Sequence, residues 1–367
     1  MSRPYNHGGN IAAVARAMNL PVTALIDFSA SINPFGISPQ VRTSIVSALD
    51  SLIHYPDSSH TELRTALARY HGLPPENFTI ANGSTELIYN LPALLPGTKA
   101  LLIAPCFNEY SQALLQHGWQ VEQFILSPEC NFSIDLLQLE KALSAGIDLL
   151  CLCNPANPSG TLYPQQVIEQ IVALCSSSET FLVLDEAFMD FCEESSAKQY
   201  IFRQKHAVIL RSMTKFFGIP GLRLGYAISN STLAERLDAM GGPWRVNTLA
   251  LVAGTAALQD ADYIRRTVAE TSLERQILSR RLEQFPCLRV YPSSVNYLLV
   301  EIKGATSAAE LQQQLLQQHI LIRDCAGFTG LSERFFRVAV KNRVDNQQLT
   351  DGLEVVFRPW GECQYKE

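Results

Sequence analysis

The chain has 367 residues, of which 47% are hydrophobic and 17% charged, a balance typical of a globular protein with a substantial core. Its formal net charge of −6, without basic runs, gives no electrostatic reason to expect nucleic-acid binding. No apolar stretch approaches the roughly 20 residues that span a bilayer, and the polar first ten residues lack the apolar region of a signal peptide.

Short apolar runs alternate with segments of helical period through the first two thirds of the chain. Four runs are predicted as buried strands, and they cover residues 101–104, 149–153, 181–184 and 207–210. Helical patterns lie between them, for example at 86–94 and 164–175. This alternation predicts an α/β fold in which helices cover both faces of a mostly parallel sheet. Ligands bind beyond the carboxyl ends of the strands in such sheets.

The pattern changes after about Asn247. Residues 249–281 are predicted as one long helix, followed by short strands and one more helix, which together indicate a smaller α+β domain. The strands are predicted at residues 288–291, 297–302 and 335–340, and the helix at 308–318. We therefore predict an N-terminal arm at 1–35 that joins the small domain and the substrate site, a large domain at 36–250 and a small domain at 251–367.

Nine cysteines are scattered singly along the chain, and the closest pair is Cys151 and Cys153. No C-x-x-C spacing appears, so we expect no metal centre and no thioredoxin-like redox motif. An odd number of scattered thiols favours reduced cysteines, and we predict a cytoplasmic protein that binds neither membrane nor nucleic acid.

The most informative string is S-M-T-K at 212–215, which follows an apolar run and precedes G-L-R-L-G at 221–225. It places Lys215 near a strand end, with hydroxyl groups on one side and Arg223 on the other. This arrangement suits an amine held beside a bound phosphate, as a pyridoxal phosphate enzyme requires. Lys215 would form the Schiff base, and Ser212 and Arg223 would hold the cofactor phosphate.

Asp185 ends another apolar run, upstream of Lys215. A carboxylate at such a buried position is costly unless it is paired. An anion beside the pyridine nitrogen keeps that nitrogen protonated, so that the cofactor ring can act as an electron sink. The alternative is a structural aspartate that caps the next turn.

Three further strand ends carry candidate cofactor residues. Gly83, Ser84 and Thr85 open a helical pattern, and free N–H groups at a helix N-terminus form an anion site, although an ordinary N-cap is the alternative. The string N-P-A-N-P-S-G at 154–160 predicts a rigid loop from which Asn157 can point its amide at the cofactor ring and the substrate. Phe107 can stack on the ring, or else lie in the core.

Together, N-P-x-N-P-x-G, D-E-A-F and S-x-T-K…G-x-R-x-G resemble the fold type I pyridoxal phosphate enzymes, within the class I and II aminotransferase group. The resemblance implies that fold and catalytic roles for Lys215 and Asp185. It also implies a homodimer with shared active sites, in which Tyr55 reaches the cofactor phosphate of the neighbouring subunit. Arg337 matches the arginine that pairs with the substrate carboxylate. The cofactor-binding residues implied are Gly83, Ser84, Thr85, Phe107, Asn157, Asp185, Ser212, Lys215, Arg223 and Tyr55.

Within that group, the chain most resembles the threonine-phosphate decarboxylase family of cobalamin biosynthesis. The similarity lies in H-G-G-N at 7–10, D-F-S-A-S-I-N-P at 27–34, I-L-I-R-D-C at 320–325, and Phe188, where many aminotransferases have tyrosine. It implies that a small phosphorylated amino acid is bound by His7, Gly8, Ser31, Asn157, Arg323 and Arg337.

Ser31 stands where that family usually has asparagine, which leaves threonine phosphate and serine phosphate both open as substrates. A histidinol-phosphate-type aminotransferase is the main alternative function, because Lys215 serves decarboxylases and transaminases alike. A catalytically silent binding protein with the same fold is a further alternative.

Overall fold

The computed structural model describes residues 8–358. The strands are β1 Ile26–Asp27, β2 Phe78–Ala81, β3 Lys99–Ala104, β4 Gln120–Ile125, β5 Leu149–Cys153, β6 Phe181–Asp185, β7 Ala207–Ser212, β8 Gly225–Ile228, β9 Leu288–Val290, β10 Tyr297–Ile302, β11 Ile320–Leu321, β12 Arg323–Asp324 and β13 Phe335–Ala339. The α-helices are α1 Ile11–Ala17, α2 Pro39–Ser47, α3 Thr61–His71, α4 Ser84–Leu94, α5 Glu109–Gln116, α6 Leu136–Leu143, α7 Gln165–Ser177, α8 Lys198–Ile201, α9 Ser231–Met240, α10 Thr248–Gln259, α11 Ala261–Leu282, α12 Ala308–Leu316 and α13 Arg343–Phe357.

The central sheet has seven strands in the order β2-β8-β7-β6-β5-β3-β4. All neighbouring pairs are parallel except those of β8, which runs antiparallel to β2 and β7. Along β5, Leu150 and Leu152 belong to one buried apolar cluster, and Leu149 and Cys151 to another. Successive side chains of a strand point to opposite faces, so the sheet is buried on both sides. The predicted α/β fold class is confirmed.

A second sheet, of order β12-β13-β10-β9, is antiparallel. Its apolar side chains pack against Leu278 and Leu282 of α11 and Leu349 and Leu353 of α13 in a separate core cluster. Strand β1 pairs in parallel with β11, which attaches the N-terminal segment beside this sheet. The exact domain boundaries stay predictions.

The prediction of one helix across 249–281 is wrong, because the helix is interrupted at Asp260. There the backbone leaves the helical region (φ −85°, ψ 71°), and the Asp260 side chain accepts a hydrogen bond from the Tyr263 amide. This N-cap starts a new helix. Helix α10 packs on α2 and α3, whereas α11 reaches the second sheet. The first turns of α11 still pack in the core shared with α10, through Tyr263 and Val268, and its last turns, with Leu278 and Leu282, pack in the second core.

Among residues 8–358, seven cysteines carry free thiols, and all of these except Cys130 are buried. Cys287 is disulfide-bonded, so the expectation of reduced thiols is wrong at that position. Between residues 8 and 358, no helix combines the length and the apolar character needed to cross a membrane.

Candidate active site

A cleft of about 480 Å³ lies beyond the carboxyl ends of β5, β6 and β7. The structure brings most of the predicted site residues together in its lining, and they are Gly8, Ser31, Ser84, Thr85, Phe107, Asn157, Asp185, Lys215, Arg223, Arg323 and Arg337. Gly83 directly precedes Ser84, and Ser212 lies three positions before Lys215 and accepts a hydrogen bond from it. His7 lies outside the described residues. The clustering follows from the topology, because parallel strands bring their carboxyl ends to one edge.

Lys215 follows β7 and extends its amine into the cleft. Its Nζ donates a hydrogen bond to Ser212 Oγ at 3.4 Å. Burial lowers the pKa of Lys215 to about 8, and the positive charges of Arg223 and Arg337 act in the same direction, against the opposing effect of Asp185. A lowered pKa makes the neutral, nucleophilic amine accessible near neutral pH. The environment thus activates Lys215 for attack on a carbonyl group.

Asp185 ends β6 with its carboxylate buried. Its Oδ1 accepts a hydrogen bond from the Ala187 amide at 2.9 Å, and the thiol of Cys153 donates to Oδ2 at 3.7 Å. Burial raises the pKa of Asp185, although the Ala187 amide, the Tyr110 hydroxyl and the charge of Lys215 oppose this rise. A buried carboxylate that still carries this desolvation cost is stabilised by a cationic partner. A protonated pyridine nitrogen in the cleft would supply one.

The first turn of α4 and Arg223 form a compact cradle. Gly83 has φ +82°, and a Cβ atom there would lie 2.7 Å from Arg223 Nη2. A Cβ on Gly225 would lie 2.3 Å from the Ser84 amide nitrogen. Both glycines are therefore needed for the close approach of the arginine and the helix. Backbone N–H groups beside a guanidinium bind phosphate well.

Hydroxyl groups close the other side of this cradle. Ser212 Oγ and Thr214 Oγ1 share a hydrogen bond of 2.7 Å, and both residues are buried. The activated lysine, the buried carboxylate and this phosphate cradle together fit pyridoxal phosphate.

The opposite wall of the cleft carries two arginines. Arg323 and Arg337 are 9% and 7% exposed, and within residues 8–358 neither forms an ion pair with a carboxylate. Arg337 donates hydrogen bonds to Asn157 Oδ1 and, at 3.3 Å, to the Ser29 carbonyl. Its Nε and the Ser31 hydroxyl are buried without a hydrogen-bond partner among the described residues. Buried polar groups are normally satisfied, so these atoms indicate an anionic ligand.

The N-terminal segment reaches the cleft through Ser29. The Gly9 amide donates to Ser29 Oγ at 3.1 Å, and Ser29 Oγ donates to Asp27 Oδ1 at 2.6 Å. A Cβ on Gly8 would lie 2.2 Å from the Ser29 carbonyl oxygen. The backbone of Gly8 thus passes directly over the segment that holds Arg337.

Tyr55 does not line the cleft of its own chain. It is 77% exposed and stacks on Trp244, with the ring centroids 4.3 Å apart. Several lining residues were not identified from sequence, and they include Ser29, Asn108, Cys153, Thr214 and Phe328. Ser29 and Thr214 lie inside the motifs at 27–34 and 212–215, whereas nothing in the sequence distinguishes Asn108 or Phe328 from ordinary loop residues.

Comparison with known proteins shows which family the chain resembles. Residues 23–356 match the family model described as aminotransferase class I and II. The threonine-phosphate decarboxylase of Salmonella typhimurium is 38% identical over 353 residues, which cover 96% of each chain. The adenosylcobalamin biosynthesis bifunctional protein CobDQ of Leptospira interrogans is 29% identical over 357 residues, which cover 96% of this chain and 41% of that protein.

Two solved structures share the architecture. The histidinol-phosphate aminotransferase of Clostridium acetobutylicum superposes with a TM-score of 0.85 at 29% identity, over 91% of this chain and 100% of its own. The L-threonine-O-3-phosphate decarboxylase of Porphyromonas gingivalis gives a TM-score of 0.79 at 28% identity, over 90% and 99%. The fold is therefore shared by relatives with two different activities.

Proposed function

The chain belongs to the class I and II aminotransferase family, and from its 38% identity to a threonine-phosphate decarboxylase we propose that it decarboxylates L-threonine O-3-phosphate. The products would be (R)-1-amino-2-propanol O-2-phosphate, for the aminopropanol linker of cobalamin, and CO₂. The cofactor is pyridoxal 5′-phosphate, held by Lys215, by Asp185 and by the cradle around Arg223.

The observation that carries this proposal is the pair of buried arginines. A phosphorylated amino acid brings one phosphate and one carboxylate, and Arg323 and Arg337 offer one guanidinium to each. A guanidinium binds either group through paired donors. The decarboxylase relative at 38% identity points to the same class of substrate.

The bound cofactor supplies an electron sink for whichever Cα bond stands perpendicular to its ring. The protein therefore selects the reaction by orientation. Arg337 is fixed from two sides, by Asn157 and by the Ser29 carbonyl, so a carboxylate bound to it has a defined direction. Arg323 would hold the phosphate, and these contacts would keep the carboxylate near the perpendicular.

After CO₂ leaves, Cα needs a proton. Lys215 is the candidate donor, because an amine with a pKa of about 8 is partly protonated at neutral pH and close to its optimum for proton transfer. Phe188 shields this side of the cleft, with Lys215 Nζ 5.9 Å from its ring centroid and the edge of Tyr297 against it. Unlike a tyrosine at this position, Phe188 has no hydroxyl group that could donate a hydrogen bond to the cofactor ring oxygen.

We also propose a cytoplasmic homodimer with shared active sites. Tyr55, whose exposed ring stacks on Trp244, is close in sequence to other exposed apolar residues. The exposed fraction is 52% for Leu52 and 83% for Ile53. Such a patch is typical of an interaction surface. Tyr55 would extend from it toward the cofactor phosphate of the second subunit.

Product analysis with the purified holoenzyme tests the reaction. We expect release of CO₂ and formation of aminopropanol phosphate from threonine phosphate, with serine phosphate as the comparison that probes Ser31. The histidinol-phosphate aminotransferase structure, with its TM-score of 0.85, supports a second candidate. Formation of glutamate from 2-oxoglutarate and histidinol phosphate, without CO₂ release, would establish that alternative. Bound cofactor without any turnover would indicate a silent binding protein.

A further inference from the structure

The loop that joins β12 to β13 connects the two arginines of the cleft. Its stem is closed by a hydrogen bond from the Cys325 amide to the Phe335 carbonyl at 2.9 Å. Within the loop, the Phe328 amide donates to the Cys325 carbonyl at 3.0 Å. This turn directs Phe328 inward, where its side chain is 6% exposed and lines the cleft.

The guanidinium of Arg323 lies over the Phe328 ring, with Cζ 5.7 Å from the ring centroid. Among the described residues, this guanidinium forms no ion pair and no hydrogen bond. The positive charge of Arg337 on the opposite strand repels it. A long side chain without directional partners has many rotamers available. The aromatic face, which attracts a cation electrostatically, restricts that choice.

The loop is also anchored on the central sheet. Asn108 Nδ2 donates to the Gly327 carbonyl at 3.2 Å. Gly330 has φ +88°, and a Cβ there would lie 2.9 Å from Ile125 Cγ2 at the end of β4. Contacts of Gly327, just before Phe328, and of Gly330, two residues after it, therefore hold the Phe328 ring between the two sheets. It provides a fixed surface against which Arg323 can rest.

We propose that Phe328 is a positioning residue that aims Arg323 into the cleft and thereby sets the affinity of the site for the phosphate of the substrate. The identity of that substrate rests on the proposed function. The ring acts through Arg323 and takes no part in the chemistry at Cα. Its removal weakens phosphate binding and leaves the bond-breaking step unchanged.

The test compares three variants of the holoenzyme. Phe328→Leu removes the aromatic face, and Phe328→Tyr restores it. Phe202→Leu is the matched control, because Arg203 lies 4.8 Å over the Phe202 ring and neither residue lines the cleft. Calorimetric titration with inorganic phosphate measures the anion site directly, and steady-state CO₂ release gives KM and kcat for threonine phosphate.

A cation–π contact is worth roughly 0.5 kcal/mol when exposed and 2 kcal/mol when desolvated, so we expect Phe328→Leu to raise the Kd for inorganic phosphate and the KM by about twofold to thirtyfold. We expect kcat and the visible absorbance of the bound cofactor to stay unchanged. Phe328→Tyr and Phe202→Leu should bind phosphate as the wild-type enzyme does. Unchanged phosphate affinity in Phe328→Leu, or an equal loss in Phe202→Leu, overturns the proposal.

The phosphate titration separates this inference from the proposed function. If the wild-type enzyme releases no CO₂ but the three variants differ in phosphate affinity as expected, the reaction assignment fails and the positioning role stands. If Phe328→Leu does not fold, Phe328→Met removes the aromatic face at a similar volume, and the same outcomes apply to it.

Discussion

Arg323 of β12 and Arg337 of β13 occupy directly opposite positions of two paired strands, and both side chains are more than nine-tenths buried. Two like charges in this arrangement repel each other and lose solvation. Burial lowers the pKa of Arg323, and the charge of Arg337 adds to this effect. The two buried charges therefore raise the free energy of the substrate-free protein, and a ligand with two anionic groups offsets this rise.

Replacement of each arginine by lysine separates the two roles. Lysine keeps the charge but loses the paired donors. We expect Arg337→Lys to lower kcat/KM by roughly tenfold to a hundredfold, the range for one lost charged hydrogen bond. Because the carboxylate loses its defined direction, kcat should fall as well. Arg323→Lys should chiefly raise KM. Steady-state CO₂ release from threonine phosphate measures both, and the reverse pattern would exchange the two assignments.

The activation of Lys215 predicts a pH dependence for cofactor attachment. Only the neutral amine attacks a carbonyl, and the pKa of Lys215 is lowered from 10.5 to about 8. The neutral fraction therefore rises as the pH passes 8 and levels off above it. We expect the rate of covalent attachment to the apoenzyme, followed by visible absorbance, to have its midpoint near pH 8.

The controls for this pH profile change the charges around the amine. Lys215→Ala should bind the cofactor without the absorbance of the covalent form. Arg337→Leu removes one of the charges that lower the pKa, so its midpoint should move to higher pH. A midpoint near pH 10 in the wild-type protein would show that the cleft does not activate the lysine.

The sequence predicted the parts of the fold that depend on local pattern. Strand β5 is a continuous apolar run, and β10 is an apolar run interrupted only by Glu301; the predicted bounds of both agree with the structure. Strand β4 was missed because it lies at the sheet edge and its sequence, QVEQFI, is neither a continuous apolar run nor a regular alternation. Strand β8 was missed because it begins inside the string around Arg223, where the glycines suggest a loop.

The site was predictable where one residue type in a fixed string has one chemical use, as for Lys215 and Asp185. The position of Phe328 was not, because its importance comes from a loop that folds back between two strands. Nor does sequence show that Ser29 offers its carbonyl oxygen to Arg337, 308 positions away. Contacts of this kind depend on tertiary packing and leave no local signal.

A buried ion cluster lies behind the cofactor residues. Glu186 directly follows Asp185, and Arg211 directly precedes Ser212. Because successive side chains of a strand point to opposite faces, Glu186 and Arg211 point to the face of the sheet opposite to that of Asp185 and Ser212. Arg211 is fully buried, with Nε 3.1 Å from Glu186 Oε2 and Nη2 2.5 Å from Glu193 Oε2. The cluster thus joins the ends of β6 and β7, which carry the residues that would bind the cofactor.

We expect Arg211→Met to lower the free energy of unfolding by about 3–5 kcal/mol, because it leaves buried carboxylates without their cation. Chemical denaturation of the apoenzyme measures this change. Arg265→Met is the control, since Arg265 pairs with Asp262 at the surface and should have no measurable effect. Equal stability of Arg211→Met and the wild-type protein would mean that the carboxylates take up protons or water at little cost.

Mixed dimers test whether Tyr55 completes the site of a second subunit. The Lys215→Ala protein lacks the reactive amine, and the Tyr55→Ala protein lacks the exposed ring that stacks on Trp244. In a symmetric dimer with shared sites, a heterodimer of the two variants contains one site with both residues intact. Random reassembly of equal amounts should therefore restore about a quarter of the wild-type activity. If Tyr55 serves its own subunit instead, mixing restores nothing, because every site that retains Lys215 then lacks Tyr55.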